Sequence, residues 1–122
     1  TYIQNRPGKE EFAKNELADL LRICIKYNAD PFSVMGSSAG AILPGQLLPS
    51  TIRQVDDLPK GASFDDLSSF SQSIRMVAKT LRIFGATADE GFQIGGKNCK
   101  AAFGYNHDEN YARFVMELAG SF

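Results

Sequence analysis

The stretch that decides the fold is residues 63 to 85, "SFDDLSSFSQSIRMVAKTLRIFG". Its apolar residues recur at alternating steps of three and four, as in the seam between two packed helices. This seam consists of Leu67, Phe70, Ile74, Val77, Leu81 and Phe84. Ser63 and Asp66 form an acidic variant of a capping box at the start, and Gly85 is a typical helix stop. The pattern predicts one continuous helix from Ser63 to Gly85.

Further helices are expected on both sides of this stretch. Residues 9 to 28, "KEEFAKNELADLLRICIKYN", carry apolar residues along one helical face. A short helix is expected after Ser50, and a last one after Asp108. We therefore predict an all-α fold, an up-down four-helix bundle with a less regular glycine-rich C-terminal segment ending in a short helix. The predicted domains are a helical bundle, 1–85, and a flexible loop plus short helix, 86–122.

Residues 34 to 42, "VMGSSAGAI", allow two interpretations. The string fits G-x-S-x-G and resembles the patatin-type lipase motif, which would make Ser38 a nucleophile at a sharp turn. Alternatively, Asp30 and the proline after it start a short helix that runs to Pro44, with small residues on one face. The only histidine, His107, lies beside an aspartate at a probable helix start. We favour the helix and keep a small serine hydrolase, or a fragment of one, as the alternative.

Metal and cofactor chemistry find little support in the sequence. One histidine and two separated cysteines give no zinc spacing, and the acidic residues at 56–57, 65–66, 89–90 and 108–109 are adjacent pairs rather than residues spaced along one helix face. The segment "GGKNCKAAFG" lacks the Gly-Lys-Ser/Thr of a phosphate-binding loop. We expect no metal and no cofactor. Cys24 and Cys99 are either two buried free thiols or one disulfide.

Charge and hydropathy restrict the possible partners. The 122 residues carry a net charge of −1, which argues against a general nucleic-acid binder. No run approaches the roughly 18 apolar residues of a membrane span. Arg75, Lys79 and Arg82 form a stripe opposite the seam, and Lys97 and Lys100 add positive charge in the following loop. Such a stripe can orient docking on an acidic partner.

The seam helix around residues 73 to 84, "SIRMVAKTLRIF", with its cations on the outside, resembles the PsbQ-type extrinsic proteins of photosystem II. The similarity is to the small extra member of diatoms and related algae. It implies a non-catalytic subunit that docks on intrinsic photosystem II subunits and supports oxygen evolution. It also implies a location in the thylakoid lumen of a plastid. A secreted effector or a viral structural protein is a further alternative.

Overall fold

The computed structural model describes residues 8 to 122, and the regular secondary structure of these residues is helical. In chain order these are α1 (Glu10–Tyr27), α2 (Pro49–Val55), α3 (Phe64–Leu67), α4 (Phe70–Ile83), α5 (Lys97–Tyr105) and α6 (Glu109–Gly120). A 3₁₀ turn, Pro31–Ser33, follows α1. Over residues 8 to 122 there is no β-strand, and only two isolated bridges occur, Gly36 with Ile42 and Ile42 with Leu47. The predicted all-α class is confirmed.

The chain divides into two compact units, Thr1–Val77 and Ala78–Phe122. In the first unit α1 packs against α2, and in the second α5 packs against α6. The up-down four-helix arrangement is not confirmed and stays a prediction, as does the predicted division into 1–85 and 86–122. None of the helices in the described residues is long and apolar enough to cross a membrane.

The core of the first unit joins α1 and α2 to the loop between them. It includes Ile23 and Tyr27 of α1, Ile42 and Leu47 of the loop, and Ile52 of α2, all buried. Asn28 ends α1 in the left-handed conformation with φ 50°, which asparagine tolerates better than most residues. Its neighbour Ala29 donates a backbone hydrogen bond to Cys24 O at 2.9 Å, so the last turn of α1 is closed. The loop that follows α1 is thus anchored to the core at both of its ends.

The second unit has a smaller core between its two helices. Cys99 and Ala102 of α5 pack with Ala112 and Met116 of α6, and Val115 lies against this cluster. The small side chains on both helices allow the two backbones to approach closely. Asp108 begins α6, because its carboxylate accepts a hydrogen bond from Tyr111 N at 3.0 Å.

The prediction of one continuous helix from Ser63 to Gly85 was wrong, because the chain breaks between α3 and α4. The predicted capping box is present: Ser63 Oγ accepts from Asp66 N, and the Asp66 carboxylate accepts from Ser63 N. A second cap follows at once, since Ser69 Oγ accepts a hydrogen bond from Gln72 N at 3.2 Å. Ser69 therefore starts α4 as a new helix, and α3 is only one turn long.

The helix predicted between Asp30 and Pro44 was also wrong beyond its first turn. Asp30 caps Phe32 N as expected, but the helical turn ends at Ser33. Gly40, Leu43 and Gln46 then adopt positive φ values of 89°, 64° and 51°, which no α-helix can contain. The segment is a pair of turns.

The irregular loop predicted for residues 86–106 contains a full helix, α5. Gly91, Gly95 and Gly96 lie in the approach to this helix, with Gly96 as its N-cap, whereas Gly104 lies within the helix. Asn98 fixes this approach, since its side-chain amide accepts from Thr87 N at 2.8 Å and donates to Thr87 O, Glu90 O and Gly91 O. The physical reason for the error is that hydrogen bonds of one side chain, rather than an apolar period, order this segment.

Candidate functional site

Residues 36 to 47 fold back on themselves twice. In the first turn Gly40 N donates to Ser37 O at 3.0 Å, and Ser37 N donates to Ala41 O at 2.9 Å. In the second, Gln46 N donates to Leu43 O at 2.9 Å, while Ile42 and Leu47 exchange two backbone hydrogen bonds. Ser37 Oγ also accepts from Ala41 N at 3.2 Å. These bonds fix the loop without a strand or helix.

The second turn holds its backbone in an unusual conformation. Leu43 and Gln46 both have positive φ, a conformation that costs free energy for residues other than glycine. Between them Gly45 lies so close to α4 that a Cβ atom added there would be 2.9 Å from Val77 Cγ2. The Gln46 amide also donates to Leu43 O at 3.1 Å. Strain of this kind tends to be found where side chains must be held for function.

An open cleft lies beside this double turn and has a volume of about 480 Å³. Four of its side chains can donate or accept hydrogen bonds, and they come from the 3₁₀ turn, both loop turns and the end of α3: Ser33, Ser37, Gln46 and Ser68. The apolar part of the lining includes Met35, Leu43 and Phe64. Met35 is 85% exposed although it is apolar. We call this feature the serine-glutamine cleft.

The serine-glutamine cleft is chemically neutral. Among the residues that the structure describes, no aspartate, glutamate, lysine, arginine or histidine lines it. Hydroxyl and amide groups both donate and accept hydrogen bonds, so they match a ligand that is itself rich in hydroxyl and amide groups. Exposed apolar side chains such as Met35 can cover the less polar face of such a ligand. The cleft thus offers a ligand neutral hydrogen-bonding groups rather than charges.

Ser38, the candidate nucleophile, lines a different and smaller cavity of about 210 Å³ beside α1. Among the described residues, Glu16 is the one carboxylate in that lining, and both of its oxygens accept hydrogen bonds from Ser50, one from N at 3.0 Å and one from Oγ at 2.6 Å. Glu16 therefore ties α1 to the start of α2. His107 belongs to the second unit, where its ring lies 5.3 Å from that of Phe103. The sharp strand-to-helix turn of a serine hydrolase is not formed around Ser38, which lies in a loop turn.

A polar network joins the end of α1 to Asp56, the residue after α2. Asp56 accepts from Tyr27 Oη at 2.5 Å and from Lys26 Nζ at 2.7 Å. Desolvation raises the pKa of Asp56, but the hydrogen bonds from Lys26, Tyr27 and Leu58 N together outweigh it and hold that pKa below its ordinary value. Burial and the Asp56 hydrogen bond raise the pKa of Tyr27. The ionised carboxylate is thus the form that the fold stabilises.

The residues of the predicted interface are placed as follows. Arg75 pairs with Asp57 at 2.5 Å, and Lys97 Nζ lies 3.9 Å from Glu90. Arg82 is exposed near the end of α4. Lys79, at the centre of the stripe, is engaged within the chain, and Lys100 lines a cavity of the second unit. Their assignment to an interface stays a prediction. Cys24 and Cys99 are both buried free thiols, so the disulfide left open above is not formed in this structure.

Comparison with known families gives a specific result. Residues 3 to 93 match the family described as "Transglycosylase SLT domain". The match covers well over half of the 122 residues, and the chain belongs to this family. Comparisons with curated proteins and with solved structures gave no significant match.

This family membership corrects the functional part of the sequence analysis. The resemblance to PsbQ-type proteins was wrong. The predictions of a photosystem II subunit and of a role in oxygen evolution were wrong with it. The domain is that of an enzyme, a lytic transglycosylase, so the expectation of a non-catalytic protein was wrong. The predicted location in the thylakoid lumen was also wrong, because the domain is of a bacterial cell-wall type. The physical reason is that an apolar seam with outward cations is common to many helical proteins and specifies no partner.

Ser37 and Gln46 were not predicted as site residues, and the structure brings both to one cleft. A signal was present in the turn residues. Three glycines and two prolines lie in residues 36 to 49, which is too many helix breakers for one continuous helix. Such a stretch predicts consecutive turns, and polar side chains on loops held by helices are frequent in binding sites.

Proposed function

We propose that the protein is a lytic transglycosylase acting on peptidoglycan and that the serine-glutamine cleft binds the glycan strand. The observation that supports this most is the family match over residues 3 to 93, since every residue lining the cleft lies within it. The neutral lining is a second, independent support. A glycan backbone presents hydroxyl and amide groups, for which the serine hydroxyls and the Gln46 amide are suitable partners.

The cleft would contribute to the reaction by binding and orienting the strand. Cleavage of a glycosidic bond passes through an oxocarbenium-like transition state and needs a carboxylic acid to protonate the leaving oxygen. A transglycosylase then transfers the glycosyl group to a hydroxyl rather than to water. The described lining of the cleft holds neutral groups. The proposed role of the cleft is therefore to position the sugar rings. Binding energy from rings that lie away from the cleaved bond then helps to distort and orient the reacting sugar.

Gln46 is the residue through which this proposal is tested. Its backbone is strained and its amide is steadied by Leu43 O, so its position is fixed before a ligand arrives. Replacing Gln46 by alanine removes one neutral hydrogen-bonding group. We expect the affinity for insoluble peptidoglycan to fall by up to about tenfold, since such a bond contributes roughly 0.5–1.5 kcal/mol. The measurement is a sedimentation binding assay, with the clearing of a peptidoglycan suspension by the intact protein as a second readout.

The matched control is Gln54→Ala, because Gln54 is exposed on α2 and lies outside the cleft lining. It should bind as the unchanged protein does. Mass spectrometry of the soluble products distinguishes transfer from hydrolysis. A fragment formed by intramolecular transfer is lighter by one water than the fragment that hydrolysis would give. If both variants bind equally well, the cleft does not hold the strand. If the fragments carry the added water, the protein is a hydrolase and the proposed reaction is wrong.

A further inference from the structure

We propose that the cavity between α5 and α6 is a binding site for a small zwitterion with an apolar side chain, of the amino-acid or short-peptide class. This cavity has a volume of about 290 Å³ and lies wholly in the second unit. Its lining residues run from Ile94 to Arg113, so all of them follow the segment that matches the transglycosylase family. The proposal is therefore independent of the function proposed for the serine-glutamine cleft.

The floor of the cavity is apolar. Cys99 and Ala112 belong to the buried cluster between α5 and α6, and both line the cavity. Ile94 and Phe103 complete the apolar part, and each remains substantially exposed. Covering these side chains with an aliphatic group would remove apolar surface from water, at about 25 cal/mol for each Å². A short aliphatic side chain fits this floor.

The rim of the cavity carries two cations and one anion: Lys100, Arg113 and Glu109. Glu109 precedes Arg113 by four residues on α6, which is the favourable spacing and order for an ion pair on a helix. In the described part of the chain, however, none of the three forms an ion pair within 4.0 Å. Their charges are thus available to a ligand. The two cations suit a carboxylate, and Glu109 suits an ammonium group.

The same lining disfavours other ligand classes. Among the residues that the structure describes, no hydroxyl or amide side chain lines the cavity, so it offers a sugar few hydrogen-bonding partners. A volume of about 290 Å³ is at the lower end for small-molecule sites, which disfavours a long acyl chain. Glu109 would also repel a simple anion. A molecule with both charges and one short apolar group meets all of these conditions.

Cys99 supplies a direct readout, because its thiol lies in the cavity wall and is 8% exposed, whereas Cys24 is 3% exposed and belongs to the first unit. We expect the dipeptide Ala-Leu to slow the alkylation of Cys99 by iodoacetamide in a saturable manner and to leave Cys24 unaffected. Peptide mass spectrometry measures both rates in one sample. Backbone amide shifts of Ala102 and Ala112 in an NMR titration give a second readout that does not depend on thiol reactivity.

Variants and matched ligands decide whether the charges matter. Arg113→Gln should weaken dipeptide binding about tenfold, because a charge-assisted hydrogen bond is lost. The control is Arg82→Gln, because Arg82 is exposed and lies outside the cavity lining. This substitution should leave the affinity for the dipeptide unchanged. If Arg113→Gln does not fold, Lys100→Gln serves in its place. The dipeptide is tested at ~10 mM, which is well above the millimolar dissociation constants of weak small ligands. The proposal is overturned if Ala-Leu at this concentration neither protects Cys99 from alkylation nor shifts the amide signals. It is overturned equally if octanoate or the uncharged N-acetyl-Ala-Leu amide binds as well.

Discussion

Asp56 shows how single residues fix the first unit. Its side chain is only 6% exposed, and it accepts hydrogen bonds from Tyr27 and Lys26 at the end of α1. A buried carboxylate with two such donors is stabilised in its charged form. Asp56 follows α2 directly, so this one side chain joins the ends of the two helices. Neither contact could be predicted from the sequence, because the partners are about thirty residues apart and no pattern relates them.

The lowered pKa of Asp56 gives a prediction for acid stability. The unfolded state binds this proton more readily than the folded state. The contribution of Asp56 is therefore present above the unfolded pKa of about 3.9 and lost as the pH falls through the lower folded pKa. We expect Asp56→Asn to be less stable at pH 7 and to lose less stability between pH 5 and pH 2. Urea unfolding across this range measures both effects.

A matched control is Asp65→Asn, since Asp65 is exposed in the first turn of α3. It should keep nearly the pH dependence of the unchanged protein. If the free energy of unfolding of Asp56→Asn fell with pH as steeply as that of the unchanged protein, other carboxylates would cause the acid sensitivity. The role assigned to Asp56 would then be wrong.

Among the individual elements, α1 and α6 were predicted correctly, whereas α5 and the break between α3 and α4 were not. The periods of α1 and α6 are long, and both helices are present. The break between α3 and α4 depends on Ser69, whose spacing to Gln72 is that of a capping box. The apolar seam extends across Ser69, so the sequence predicted one continuous helix there rather than a new helix start. The turns of residues 36 to 47 were missed because their conformation depends on contacts with α4 as well as on local sequence.

Gly45 is the point at which that contact can be tested. An alanine Cβ would be 2.9 Å from Val77 Cγ2, and a valine side chain on a helix has little freedom to move. We expect Gly45→Ala to destabilise the protein by about 1–3 kcal/mol, the usual cost of overpacking. The measurement is urea unfolding. Gly91→Ala is the control, since its nearest neighbour is the end of the Gln93 side chain at 3.4 Å.

A double variant identifies the cause of this effect. If the clash is with Val77, adding Gly45→Ala to a Val77→Ala protein should cost far less than adding it to the unchanged protein. Equal costs in the two backgrounds would show that the tight approach to α4 is not what requires glycine at this position.

At the scale of the whole molecule, two compact units carry two different kinds of cavity. The first unit holds the neutral serine-glutamine cleft, and the second holds an apolar cavity with a charged rim. The all-α class followed from apolar periods that extend over many residues, which is why it could be predicted. The cleft could not be predicted, because Ser33, Gln46 and Ser68 are distant in sequence and share no spacing that chemistry would demand.

The most direct measurement of the central claim is an NMR titration of the isotope-labelled protein with soluble glycan strands released from peptidoglycan. The account predicts saturable amide shifts in the segments that line the serine-glutamine cleft: 33–37, 43–46, Phe64 and Ser68. Amides of the second unit between 97 and 120 should change little. Shifts confined to the Ser38–Gly40 turn or to the second unit, or no shifts at saturating glycan, would contradict the assignment of this cleft as the glycan site.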